Sequence, residues 1–277
     1  MINKEFLDLI GFHKQQPTQL NQIEIHLADH CNLNCRSCDH YSPLSKKHFP
    51  NYNLVKEDML HLSKITNAKI DKILLLGGEP LLNPNIVNYI VLMRNLFPKT
   101  QITIVTNGIL LNKQSDSFYE SCVENDILIE ITKYPIDFDY KKIERLLQFK
   151  GIKYTFVGST KTKEKTTHRL VLDDSGKQDP NYSFNHCFHS TKCYQYYNGK
   201  LFMCPCCAYI HNVNEFFSKS FIIQKEDYLE VKKIKNVQEI LNYLSNPIPF
   251  CRYCDVDKRS FKNKWSTSLR DKGEWLN

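Results

Sequence analysis

No stretch of this chain approaches the ~18 consecutive apolar residues that span a bilayer, so helical membrane insertion is excluded. The opening residues, Met1-Ile-Asn-Lys-Glu-Phe-Leu-Asp8, are too polar for a secretory signal, and a cytoplasmic location is expected. The chain has no low-complexity tract, no internal repeat, no arginine-rich block and no basic–aromatic stripe. Those absences argue against disorder, a solenoid and nucleic-acid binding. Neither sign of charge dominates: 37 basic and 30 acidic residues leave +7, spread along the chain, which reads as a solvated surface. With 42% apolar and 24% charged residues, 277 positions suffice for a sizeable core.

Cysteine is abundant instead, with eleven residues. The count is odd and no export signal is present, so a disulfide framework is not expected; clustered thiols in a reducing compartment point to metal or catalysis. Three of them, Cys31, Cys35 and Cys38, sit within one short loop. Seven more, Cys187, Cys193, Cys204, Cys206, Cys207, Cys251 and Cys254, lie downstream. Cys122 stands alone and reads as a small buried hydrophobe.

Periodicity organises the segment between these groups. Gln22–Leu27 alternates polar and apolar residues, the period of a strand. Apolar runs at Lys72–Leu76, Gln101–Val105, Ile127–Ile131 and Tyr154–Val157 read as buried parallel strands. Helical spacing marks Leu54–Thr66, a helix opened by Asn83-Pro84 and ending near Phe97, Ser115–Val123, and Tyr140–Phe149, the last closed by Gly151. A sixth strand is expected at Arg169–Leu172. Alternating strands and helices mean an α/β fold with right-handed crossovers and a parallel sheet. The expected organisation is an N-terminal helix and linker (1–21), a barrel-like unit (22–172), and an irregular cysteine-rich module with a tail (173–277). Within that last unit a helix is expected near Val237–Tyr243, and Trp265 with Leu269 suggests a short amphipathic helix.

The unusual residues fall at the C-terminal ends of the strands, the edge at which such sheets bind ligands. The cysteine trio follows the first strand, Gly77-Gly78-Glu79-Pro80 the second, Thr106-Asn107-Gly108 the third, and Thr132 the fourth. Three thiols are one short of the usual four ligands of zinc or iron–sulfur sites, so a cube held by this loop keeps one iron open. A zinc knuckle completed by His30 or His40 is the competing reading. The glycines allow close backbone approach, and Glu79 offers a carboxylate to an ammonium.

Cys31-x3-Cys35-x2-Cys38 followed by Gly77-Gly78-Glu79-Pro80 resembles the radical S-adenosylmethionine superfamily. The resemblance covers about residues 22–160 and implies a full or partial six-unit (β/α)6 TIM-type barrel. It implies a [4Fe–4S] cluster on the three cysteines. It also implies S-adenosylmethionine bound by the Gly77–Pro80 stretch, Thr106, Asn107 and Thr132, with Glu130 and Lys133 as lesser neighbours. The chemistry implied is reductive cleavage of that cofactor to a 5′-deoxyadenosyl radical, with an external donor such as a flavodoxin or ferredoxin. Where the family often has an aromatic residue before the third cysteine, this chain has Ser37; Tyr41 could supply a ring instead, although a core position is the simpler reading.

Downstream, Cys187, then Gly199-x4-Cys204, then Cys251-x2-Cys254 resembles the twitch and SPASM auxiliary-cluster modules of the same superfamily. That likeness implies a second [4Fe–4S] cluster on Cys187, Cys204, Cys251 and Cys254. Cys193, Cys206 or Cys207 could replace one of them, and a four-cysteine zinc site is the alternative. His186, His189 and His211 read as bystanders. Asn198-Gly199 reads as a hairpin turn carrying Cys204 just beyond it. The function expected is oxidative modification of a carbohydrate-like small molecule, an auxiliary cluster suiting loss of an electron. A peptide- or protein-modifying enzyme is the alternative, weakened by the absence of a recognisable leader-binding segment before the barrel. A non-catalytic zinc or iron–sulfur protein is the rival from another class. No catalytic side chain can be named.

Overall fold

In a computed structural model, residues 17–157 and 165–277 are described. Of the expected N-terminal helix and linker (1–21), residues 1–16 lie outside them, and 17–21 form no helix.

Five strands run parallel in one sheet: β1 (Gln22–Ala28), β2 (Lys72–Gly77), β3 (Gln101–Thr106), β4 (Leu128–Thr132) and β5 (Lys153–Val157). Their Ile and Leu side chains supply the core, with Ile23, Ile25, Ile73, Leu75, Ile102, Ile104 and Ile129 fully buried. β-Branched residues suit such a two-sided position. The connecting helices are α1 (Tyr52–Ile65), α2 (Ile86–Leu96), α3 (Asp116–Glu124) and α4 (Tyr140–Phe149). Each starts where the sequence supplies or allows a start. The side chains of Asn51, Ser115 and Asp139 accept from Leu54, Phe118 and Lys142 N–H at the heads of α1, α3 and α4. Just past α4, Gly151 takes the left-handed conformation, φ +68°, that a helix C-terminus favours.

The sixth strand is not where periodicity put it. Thr166–Arg169 (β6) leaves the main sheet and pairs antiparallel with Ser260–Lys264 (β10). The parallel neighbour on the other side of β1 is β7 (Gln195–Tyr197), and β8 (Lys200–Phe202) and β9 (Tyr228–Glu230) continue the sheet antiparallel. The strand order is thus β5-β4-β3-β2-β1-β7-β8-β9, a mostly parallel sheet of the α/β class. The hairpin at Asn198-Gly199 is present: both residues have positive φ, 46° and 80°, the twist that tight hairpins require. The cysteine-rich region adds α5 (Pro180–Asn185), α6 (Pro205–Ala208), α7 (Ile210–Phe217) and α8 (Val237–Leu244), the last close to expectation. No helix forms over 265–269: the chain is extended there because Ser266–Ser268 pairs with the cysteine loop, and Leu269 is 83% exposed. Among the described residues no helix is long and apolar enough to cross a membrane.

Candidate functional site

The C-terminal edge of the parallel strands opens into a cavity of about 250 Å³. Its wall brings together Cys31, Cys35 and Cys38, Gly77-Gly78, Thr106-Asn107 and Thr132, which lie far apart in sequence. The glycines make the approach possible. A Cβ on Gly77 would lie 2.2 Å from the Ala28 carbonyl oxygen, and one on Gly78 2.3 Å from that of His30. Gly78 N–H donates to Ala28 O at 2.8 Å and Glu79 N–H to His30 O at 3.1 Å, so the end of β2 lies flush against the root of the cysteine loop.

Glu79 and Pro80 are placed differently from the rest. Glu79 is completely buried behind the cavity wall. Its carboxylate accepts from Leu81 N–H (3.1 Å), Thr106 Oγ1 (2.6 Å) and Asn107 N–H (3.0 Å). It ties the end of β2 to the end of β3, and burial pushes its pKa up to about 7. Pro80 opens the buried turn that follows. Thr106 Oγ1 also accepts from Gly108 N–H at 3.0 Å.

Burial and mutual repulsion disfavour ionisation of the loop thiols. Burial raises the Cys31 pKa, with the Glu79 charge adding to it, and burial with repulsion from Cys38 pushes Cys35 up to about 11. Donors already converge on Cys31 Sγ: Leu33 N–H at 3.3 Å and Asn107 Nδ2 at 3.9 Å. A bound metal would offset the burial and repulsion and release the protons.

Several side chains around the loop gave no sequence signal because only folding brings them there. Trp275, 1% exposed, donates its indole N–H to Cys38 O at 2.8 Å, and Glu274 accepts from Ser37 and Leu269 N–H. Tyr134 lines the cavity near Cys35 and packs edge-on against Trp265 at 5.6 Å. Arg36, Asp39, Ser42, Lys165, Thr166, Thr167 and His168 complete a polar wall. Tyr41 lies in the core, beside Cys206 and Trp275, and does not reach the cavity. Cys122 is buried as expected.

A second group of thiols sits beneath. Cys187, Cys204, Cys206, Cys207 and Cys254 are buried and Cys251 partly so. Cys254 lies near Cys206, Cys251 and Cys187, and Cys204 donates to Cys206. Against the cost of burial, the charge of Arg259 and a hydrogen bond from His189 hold Cys187 well below the usual thiol range. His189 spans the two sites: its Nε2 lies 3.1 Å from Asp39 Oδ2, next to Cys38, while the ring also reaches Cys187. Burial disfavours its charge, but these two anionic partners raise its pKa to about 9. Cys193 stands apart, nearer Glu24 and Asp39.

Comparison with known proteins follows this geometry. A GTP 3′,8-cyclase of Alkaliphilus oremlandii is 33% identical over 110 residues, 37% of this chain and 32% of that protein. Human molybdenum cofactor biosynthesis protein 1 is 36% identical over 97 residues, 34% of this chain and 15% of that protein. The matches therefore span a third or less of these relatives' length. The fold is shared with BtrN, solved in complex with AdoMet and 2-DOIA, at a TM-score of 0.55 and 16% identity, covering 85% of this chain and 93% of that one. Residues 25–158, which hold the cysteine loop and the ends of β2, β3 and β4, match the family model of the Radical SAM superfamily. Residues 25–158 of this chain thus form a Radical SAM domain.

Proposed function

We propose that Cys31, Cys35 and Cys38 hold a [4Fe–4S] cluster, that S-adenosylmethionine binds across the Gly77-Gly78, Thr106-Asn107 and Thr132 strand ends, and that residues 173–277 form an auxiliary-cluster module. The observation that carries this reading is the single cavity whose wall joins the three loop thiols to those strand ends. When bound, the cluster and cofactor supply an electron and a 5′-deoxyadenosyl radical able to abstract hydrogen. The chain's own part is to leave one face of the loop open to the cavity, to bring bare glycine backbone to the ligand, and to present Thr106, Asn107 and Thr132 to it.

The fit of an auxiliary group rests on charge. Arg259 is 8% exposed, and its Nε and Nη1 have no hydrogen-bond partner among the described residues. Its strongest neighbours are the sulfurs of Cys187, Cys254 and Cys206. A buried guanidinium calls for anions, which thiolates and cluster sulfides supply. Cys187, Cys204, Cys251 and Cys254 follow the twitch-like order; Cys206 lies within the same group and competes with Cys204 for a place.

For the substrate, the hydroxyls of Ser42, Thr166 and Thr167 and the charged Arg36, Asp39 and Lys165 favour a small polyhydroxylated molecule over an apolar one. We therefore favour oxidation of a carbohydrate-like compound, with electrons first supplied by a flavodoxin or ferredoxin. The alignments with the curated relatives lie in the shared domain, so their substrates carry no weight here.

The test is anaerobic iron and sulfide analysis of wild type and a Cys31/Cys35/Cys38→Ala variant, alongside reductive cleavage of S-adenosylmethionine. About eight irons falling to about four, with cleavage abolished, is the expected result. About four falling to none would remove the auxiliary cluster, and absence of cleavage by reduced wild type would overturn the whole reading.

A further inference from the structure

Arg259 immediately precedes β10, the strand that pairs with β6. Through His168, Thr167 and Thr166, β6 contributes to the cavity wall. The buried Arg259 thus leads directly into a two-stranded ribbon whose partner strand helps to form the cavity. It faces Cys187, with Cys254 and Cys206 nearby, while Nε and Nη1 have no hydrogen-bond partner among the described residues. Loss of solvation for a permanent cation is costly unless an anion replaces the water. In a reduced iron–sulfur site the added electron increases the negative charge of the centre, and a cation in contact with its ligands favours that form more than the oxidised one.

We propose that Arg259 is the charge that sets the reduction potential of the auxiliary site, keeping it high enough to take up an electron during substrate oxidation. This rests on the auxiliary-cluster reading above. Arg259 is a positioning and tuning residue: it acts through the ligands Cys187 and Cys254 and does not touch the cavity. Its role depends on charge, so Arg259→Lys retains it and Arg259→Gln removes it.

The experiment uses the full chain carrying Cys31/Cys35/Cys38→Ala, so that the auxiliary site is the source of any signal. Iron content and the EPR-monitored midpoint potential are measured with Arg259, Arg259→Lys and Arg259→Gln. With iron retained, Arg259→Gln lowers the ratio of reduced to oxidised cluster at fixed potential at least tenfold, about 59 mV for one electron. Arg259→Lys stays within about threefold of the parent, roughly 30 mV. Loss of iron in Arg259→Gln with retention in Arg259→Lys also supports a charge requirement. An unshifted Arg259→Gln, equal shifts in both variants, or loss of iron in both overturns it. A parent without iron fails differently: it overturns the two-cluster reading itself, and the role of Arg259 with it.

Discussion

Glu79 is the residue on which family resemblance and geometry part company, and its titration separates them. The carboxyl is fully buried, meets three donors and has no cation among the groups that shift it. Its pKa rises from 4.5 to about 7 on folding. A raised carboxylate pKa contributes stability that is fully present below about 4.5 and is lost as pH climbs through about 7. A difference of roughly 2.5 units at 1.36 kcal/mol each amounts to on the order of 3 kcal/mol. Glu79→Gln does not titrate, so relative to wild type it gains on the order of 3 kcal/mol between pH 4.5 and pH 8. Subtracting the two proteins cancels the other titrating groups. Urea unfolding of matched anaerobic preparations reads the change as a shift on the order of 1 M in midpoint. A difference flat within ~0.5 kcal/mol across that range refutes an isolated buried carboxyl. Repeating the series with saturating S-adenosylmethionine decides its relation to the ligand. If Glu79 only pins β2 to β3, the slope persists; if it receives the ligand's ammonium, the slope collapses.

Three further outcomes follow from particular contacts. Gly78→Ala puts a Cβ 2.3 Å from the His30 carbonyl oxygen and 2.8 Å from that of Asp29, neither of which can yield without moving the cysteine loop; iron content falls by about half, with the fold retained by circular dichroism. Trp275→Phe keeps the buried ring but leaves the Cys38 carbonyl without its 2.8 Å donor, at a cost of about 1–2 kcal/mol, read as a fall of ~2–6 °C in Tm. His26 is buried against Tyr209, with ring centroids 3.9 Å apart; its pKa is held down at about 4, chiefly by burial, so stability is lost as pH falls from 6.5 to 4. His26→Phe removes that loss, and by urea unfolding its stability relative to wild type improves by on the order of 3 kcal/mol over the same interval.

The five parallel strands and their helices were legible because each carries its own signal: an apolar run, a cap, a terminal glycine. The cysteine loop and the glycine pair were legible for a related reason, since strand ends can be located before the strands are paired. What escaped was pairing over long distances. Arg169–Leu172 looked as apolar as a barrel strand, yet Gln195-Tyr196-Tyr197, three residues with no apolar run, took the place beside β1. Register with Glu24 and Ile25 decided that, together with the Gln195 amide, which donates to Glu24 Oε2 at 2.6 Å. Trp275 finds its partner only through the return of 266–276 across the cysteine loop. Arg259 gave no signal at all, since a lone arginine acquires meaning only once sulfurs surround it.

The seat of β7 beside β1 has a consequence for how this protein can fail. β1 leads into the cysteine loop and lies in the middle of the sheet only because the cysteine-rich half supplies its second neighbour: Glu24 N–H donates to Tyr194 O at 2.8 Å, with Ile25 opposite Tyr196. Without that half, β1 becomes an open rim bearing Ile23, Ile25 and Leu27, a template for edge-to-edge growth. Excising the barrel at residue 172 is therefore expected to yield aggregates rather than a minimal enzyme. Any insult that loosens the downstream cysteines, oxidation included, therefore endangers solubility as well as catalysis.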